Sequence, residues 1–182
     1  LNIITFTKHK LPLRYSFLIP NQASMETHDF SFTYSTLALT ELPMCLQDAV
    51  RRAEEESCRA YAPYSGFQVG AAVLLSDGTL VGGNNQENAA YPSGLCAERV
   101  ALFHANATYP DKEPIAIAIV ARRDGLVVPH PVPPCGSCRQ VLLESEKRYG
   151  HPIQVLLYDG RDVTLLSCVH DLLPLSFSDT IL

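Results

Sequence analysis

The stretch "PPCGSCRQ", residues 133–140, sets Cys135 and Cys138 three apart. Such a pair is half of a metal site or one redox couple. A third thiol, Cys96, stands in "LCAER", 39 residues earlier, two residues before Glu98 and three before Arg99. Zinc fits three converging thiolates, since it is borderline soft, takes tetrahedral geometry and binds sulfur at about 2.3 Å. Three protein ligands leave a fourth position open for water or substrate, whereas a structural zinc site is normally closed by a fourth residue. His130, between Pro129 and Pro131, is the rival fourth ligand, though a histidine in such a loop is more often solvated. Cys45, Cys58 and Cys168 have no partner at metal-like spacing and read as core or surface thiols.

Glu98 separates a structural site from a catalytic one. A carboxylate at the start of a buried helix is costly unless paired or employed. It can answer the helix dipole, but beside an open metal position it can also accept a proton and later return it. Three thiolates exceed the charge of Zn²⁺ by one, which weakens the metal as a Lewis acid. Two features offset this. Both cysteine-bearing segments start helices, whose N-termini favour thiolate. Arg99 and Arg139 each directly follow a site residue and are placed to donate to the sulfurs.

The elements that must position these groups are legible from periodicity. Residues 29–36, "DFSFTYST", alternate aromatic and polar and read as a half-exposed strand. From Pro43, apolar residues at helical spacing run through Leu46, Ala49, Val50 and Ala53. "FQVGAAVLLSDGTLVGG" reads as a hairpin on an Asp-Gly turn. Residues 95–107 form a helix that is apolar nearly all round and should be buried. "PIAIAIVAR" is an interior strand, residues 135–149 a helix ended by Gly150 and Pro152, and "IQVLLYDGRDVTLLS" a second hairpin. A short helix in "VHDLLPLSF" closes the chain. This order predicts an α/β protein, a three-layer α/β/α sandwich with a mixed sheet of about five strands. Helices that follow strands bring their N-termini to one end of such a sheet.

The chain has 182 residues, a formal net charge of −5, and no apolar run long enough to span a bilayer. The charge argues against nucleic-acid partners and leaves room for a small ligand. We expect residues 1–42 to be an N-terminal extension, partly disordered or strand-like. Residues 43–182 then form the catalytic domain. The basic start, with Lys8, Lys10 and Arg14, is too weak a targeting signal, and Met25 opens a more ordinary segment. Six cysteines without a signal peptide favour metal or plain burial over disulfides.

Taken in order, "YAPYSGFQVGAA", "NQENAAYPSGLCAER", "PCGSCRQ" and "LLPLSF" resemble the cytidine deaminase family of zinc hydrolases, from about Tyr61 to Phe177. Cys96, where many relatives carry histidine, resembles the short-chain homotetrameric branch. The resemblance implies zinc on Cys96, Cys135 and Cys138. It implies that Glu98 deprotonates water, protonates N3 of the base and passes a proton to departing ammonia. Cytidine and 2′-deoxycytidine would give uridine and 2′-deoxyuridine, a pyrimidine-salvage reaction in the cytoplasm. The backbone of Ala97 and the carbonyl of Pro133 would meet the pyrimidine edge. Pro133 departs from the serine or threonine expected there, which only a backbone contact survives. Phe67 would pack on the base. Asn85 and Glu87 would bind the ribose 3′-hydroxyl, and the polar run "GGNNQEN" at a strand end supports this independently. Tyr91 and Phe177 would reach a neighbouring subunit's pocket, so the resemblance implies a homo-oligomer, a tetramer with shared sites.

Three other readings stay open. One is a deaminase of another small aminoheterocycle nucleoside; the acidic charge disfavours a polynucleotide substrate. A second is a non-catalytic zinc-stabilised interaction module, which needs a fourth ligand and leaves Glu98 without a task. The last is a thiol–disulfide couple at Cys135 and Cys138, which the preceding prolines do not favour.

Overall fold

Two-residue alternation along the central strands buries both of their faces, and this sets the architecture. The computed structural model describes residues 26–178. The basic start and Met25 lie outside them. Contacts separate Leu1–Thr33 from Tyr34–Leu182, and every strand and helix among the described residues belongs to the second unit. Its strands are β1 (Tyr34–Ala38), β2 (Phe67–Leu75), β3 (Leu80–Asn84), β4 (Pro114–Arg123), β5 (Leu126–Val127), β6 (Gln154–Tyr158) and β7 (Asp162–Leu166). Its helices are α1 (Met44–Ser57), α2 (Ala97–Thr108) and α3 (Gly136–Tyr149).

One mixed sheet runs β1-β7-β6-β4-β2-β3, with β5 on β4. Ala71, Val73, Ile117, Ile119, Val155 and Leu157 meet α2 and α3 on one face. Ala72, Leu74, Ala116, Ala118 and Leu156 meet α1 on the other. The expected α/β/α sandwich is therefore the observed one. It has seven strands rather than about five, because β1 and the two-residue β5 join it. Small residues dominate the α1 face of β4, and α1 lies correspondingly close. A Cβ added at Gly70 would sit 2.0 Å from the Ala53 carbonyl oxygen. On the opposite face, a Cβ at Gly83 would sit 2.4 Å from the Ala101 nitrogen, so α2 rests directly on β3.

Three expectations need correction. The first strand begins at Tyr34, not residue 29, and runs to Ala38. Its extent is set by its partner, since Tyr34 pairs Leu166 and Ala38 pairs Asp162, the two ends of β7. The closing helix is a single 3-10 turn, His170–Leu172. Helix α2 is buried along one side only: Ala97, Glu98, Ala101, Leu102 and Ala105 are buried, but Phe103 is 46% exposed. An apolar outer residue does not say which neighbour, if any, will cover it.

Strands β3 and β4 both run antiparallel to the intervening β2, and so point the same way. Asn84, the last residue of β3, and Val120 of β4 both pair with Gly70. The chain leaves these neighbouring strand ends to enter α2 and α3. The two helix N-termini therefore meet at one end of the sheet, where open α/β folds place their sites.

Candidate metal centre and active site

Cys96 and Cys135 are the residues that cap the N-termini of α2 and α3, and Cys138 lies in the first turn of α3. Neither capping cysteine spends its side chain on a backbone N–H. The sulfurs converge instead: Cys96 to Cys135 is 3.8 Å and Cys135 to Cys138 is 3.5 Å. All three lie within 4.8 Å of one another, and among the described residues no histidine, cysteine or carboxylate joins them as a fourth donor. His130 stays outside the cluster. Three soft donors on two rigid helix starts, with the fourth side open, fit zinc of the catalytic kind.

The thiols already differ without metal. Cys96 is pulled down to about 5, first by the hydrogen bond from Cys138, with Arg99 adding to it against the cost of burial. Cys138, fully buried, is pushed up as the partner that keeps its proton. Arg99 donates from Nη2 to the Cys96 sulfur at 3.7 Å, the arrangement expected for it. Arg139 does something else. Its Nε donates to the Pro134 carbonyl and its Nη1 to the Leu172 carbonyl, each at 2.8 Å. It braces the loop before Cys135 against the C-terminal turn. One carbonyl five residues before it and one 33 residues after it outcompete the thiolates for its fork.

Glu98 is 5% exposed, and burial is the main reason its carboxyl is held above the ordinary carboxylate range. A hydrogen bond from its own backbone N–H draws it part of the way back, with a smaller contribution from Cys138. With Cys96, Ala97, Cys135, Pro133, Phe67, Asn85 and Glu87 it lines one cavity of about 280 Å³. A hollow of about 470 Å³ adjoins it, sharing Ser65, Asn85, Glu87 and Cys96 and extending to Tyr64, Tyr91 and Arg99. A buried carboxyl thus faces the space beside the sulfur cluster.

Asn85 and Glu87 line that space, but both also hold the scaffold. Asn85 Oδ1 accepts the Val69 N–H at 2.7 Å and Nδ2 donates to the Phe67 carbonyl at 3.0 Å. Glu87 accepts from Ser65 and from the N–H of Tyr64, which together lower its pKa. Tyr91 is 75% exposed in a 3-10 turn, its ring edge-on to Tyr64. Phe177 is 59% exposed and lines neither space of its own chain; its carbonyl accepts from Gln140. Sequence reasoning missed Ser65. The serine lies in the stretch "YAPYSGFQVGAA", and a hydroxyl two residues before Phe67 was the available signal.

Fold and site together define a metal hydrolase of the α/β/α type, with a three-thiol cluster and a buried carboxyl beside it. Residues 43–149 match the family model for the cytidine and deoxycytidylate deaminase zinc-binding region. The chain belongs to that family. It is 47% identical over 103 residues to a cytidine deaminase of Halalkalibacterium halodurans, covering 56% of this chain and 69% of that one. With a cytidine deaminase of Mycobacterium tuberculosis it shares 40% over 105 residues, 56% of this chain and 74% of that one. The crystal structure of cytidine deaminase from Burkholderia pseudomallei superposes with a TM-score of 0.60 at 38% identity, covering 71% of this chain and 97% of that one.

Proposed function

We propose that the protein deaminates cytidine and 2′-deoxycytidine by hydrolysis, giving uridine and 2′-deoxyuridine with release of ammonia. The observation that carries this is Glu98, buried at the wall of a cavity that Cys96 and Cys135 of the three-sulfur cluster also line. Cys96, Cys135 and Cys138 would hold zinc, which would supply the Lewis acidity that makes water a nucleophile near neutral pH. Glu98 takes the proton of the attacking water and gives it to N3 of the base. With the water oxygen now bonded to C4, it takes the remaining proton from that new hydroxyl and delivers it to the amine as the C4–N bond breaks, so water is consumed and ammonia departs. A raised pKa suits a group that must both accept and return a proton. Arg99 spreads the surplus negative charge of the thiolates. Phe67 packs on the base, the backbone of Ala97 and Pro133 meets its edge, and Asn85 and Glu87 receive the sugar.

The exposed aromatic rings of Tyr91 and Phe177 support a homotetramer in which neighbouring subunits complete each site. The net charge of −5 supports a nucleoside rather than a polynucleotide substrate. Among the described residues no helix is long and apolar enough to cross a membrane. Three ligand thiols that must stay reduced suit a role in pyrimidine salvage in the cytoplasm.

The test incubates zinc-loaded protein with cytidine and follows loss of the cytosine absorbance, with Glu98→Gln as control. The variant should bind zinc yet lose roughly 10²–10⁴ in rate or more, because one residue serves several transfers. A folded, metal-replete wild type that is inert on aminopyrimidine nucleosides would return the interaction-module reading.

A further inference from the structure

Glu87 is held by one turn of the chain. Its Oε2 accepts the N–H of Tyr64 at 2.8 Å and that of Ser65 at 3.3 Å. Its Oε1 accepts the Ser65 hydroxyl at 2.5 Å. The same hydroxyl oxygen accepts the N–H of Phe67 at 2.9 Å. Ser65 therefore touches both a carboxylate on the sugar side and the backbone of the ring on the base side. It lines both hollows at the place where they join. A carboxylate offers about four lone-pair positions. Three donors from the turn leave one, on the oxygen that Ser65 orients.

We propose that Ser65 is a positioning residue for nucleoside specificity. Its single hydroxyl holds Glu87 Oε1 ready for a sugar hydroxyl and ties that contact to the placement of Phe67. The inference rests on the reading of Glu87 as a sugar acceptor. Ser65 has one proton and two lone pairs, and this geometry uses the proton on Glu87 and a lone pair on Phe67. Alanine would free Oε1 to rotate and leave the Phe67 N–H without that acceptor. Threonine would keep both bonds. A carboxylate already fixed accepts a fourth bond without reorganising, which is how preorganisation raises affinity.

The experiment compares kcat and KM on cytidine and 3′-deoxycytidine for zinc-loaded wild type, Ser65→Ala, Ser65→Thr and Glu87→Gln. The readout is the penalty, the ratio of the two kcat/KM values. In the wild type we expect a penalty of about 10² or more, as for a site built around a substrate hydroxyl. Ser65→Ala should cut the penalty about tenfold and raise KM for cytidine about tenfold, with kcat within about threefold, the scale of one hydrogen bond to a charged group. Ser65→Thr should restore the wild-type penalty. An undiminished penalty in Ser65→Ala overturns the role of Ser65 and leaves that of Glu87 standing. A wild-type penalty near one, with Glu87→Gln unaffected, overturns the sugar reading of Glu87 instead. Equal losses on both substrates with falling kcat mean a purely structural serine and also overturn the proposal. If Ser65→Ala does not fold, Ser65→Cys, which keeps the side-chain shape at slightly larger size and weakens the donor, is judged by the same ratio.

Discussion

Removing the charge of Arg99 tests how the three-thiolate centre carries its negative excess. The guanidinium lies 3.7 Å from the Cys96 sulfur. Two unit charges at that distance interact by about 4 kcal/mol at an effective dielectric of 20 and about 1 kcal/mol in bulk water. Arg99 is only partly buried, so solvent places the value near the lower limit, about 1–2 kcal/mol, or about one pKa unit. In metal-free protein the Cys96 thiol stands at about 5, and the hydrogen bond from Cys138 contributes more to that than Arg99 does. Arg99→Gln should therefore raise its midpoint by about one unit without returning it to that of an ordinary thiol. The assay is alkylation of Cys96 in metal-free protein between about pH 4 and 9, quantified by mass spectrometry. In zinc-loaded protein the same substitution should slow deamination and move the rising limb of its pH–rate profile upward, because more negative sulfurs make water harder to ionise. An unchanged alkylation midpoint together with an unchanged profile would refute the electrostatic role of Arg99.

Glu98 also makes a stability prediction. Burial holds its folded pKa above the unfolded value of about 4.3. The folded state binds that proton more tightly, so the stabilisation is full below the unfolded pKa and disappears as pH rises through the folded one. In metal-free protein, Glu98→Gln should gain on the wild type in urea midpoint as pH rises; parallel midpoints across that range contradict it. Gly83→Ala would press a Cβ to 2.4 Å from the Ala101 backbone, which cannot rotate away. It should cost about 1–3 kcal/mol by urea denaturation. It should also weaken zinc retention, since Cys96 and Glu98 begin the displaced helix.

Local chemistry made much of this chain legible. The Asp-Gly pairs at Asp77–Gly78 and Asp159–Gly160 do join antiparallel hairpins, β2 to β3 and β6 to β7. The apolar run of β4 announced an interior strand, and alternate residues of β4 do meet different helices. The cysteines were readable as helix starts because the start of a helix is specified within a few residues. Arg99 reaches Cys96 from three residues away, a separation that one helical turn closes.

What sequence alone determined is thus the donor set, the acid beside it and the order of elements that brings two helix N-termini together. All of these follow from spacing, patterning and helix starts over a few residues. Tertiary structure decided the partners of groups with more than one choice. Arg139 was free to face a sulfur but is taken by the Leu172 carbonyl. Glu87 was free to wait for a sugar alone, but a turn 22 residues earlier clasps it through Ser65. Strand β1 starts at Tyr34 because β7 ends at Leu166. A hydrogen-bonding group takes the best-placed partner that docking supplies, and docking depends on the whole sheet rather than on neighbours in the chain.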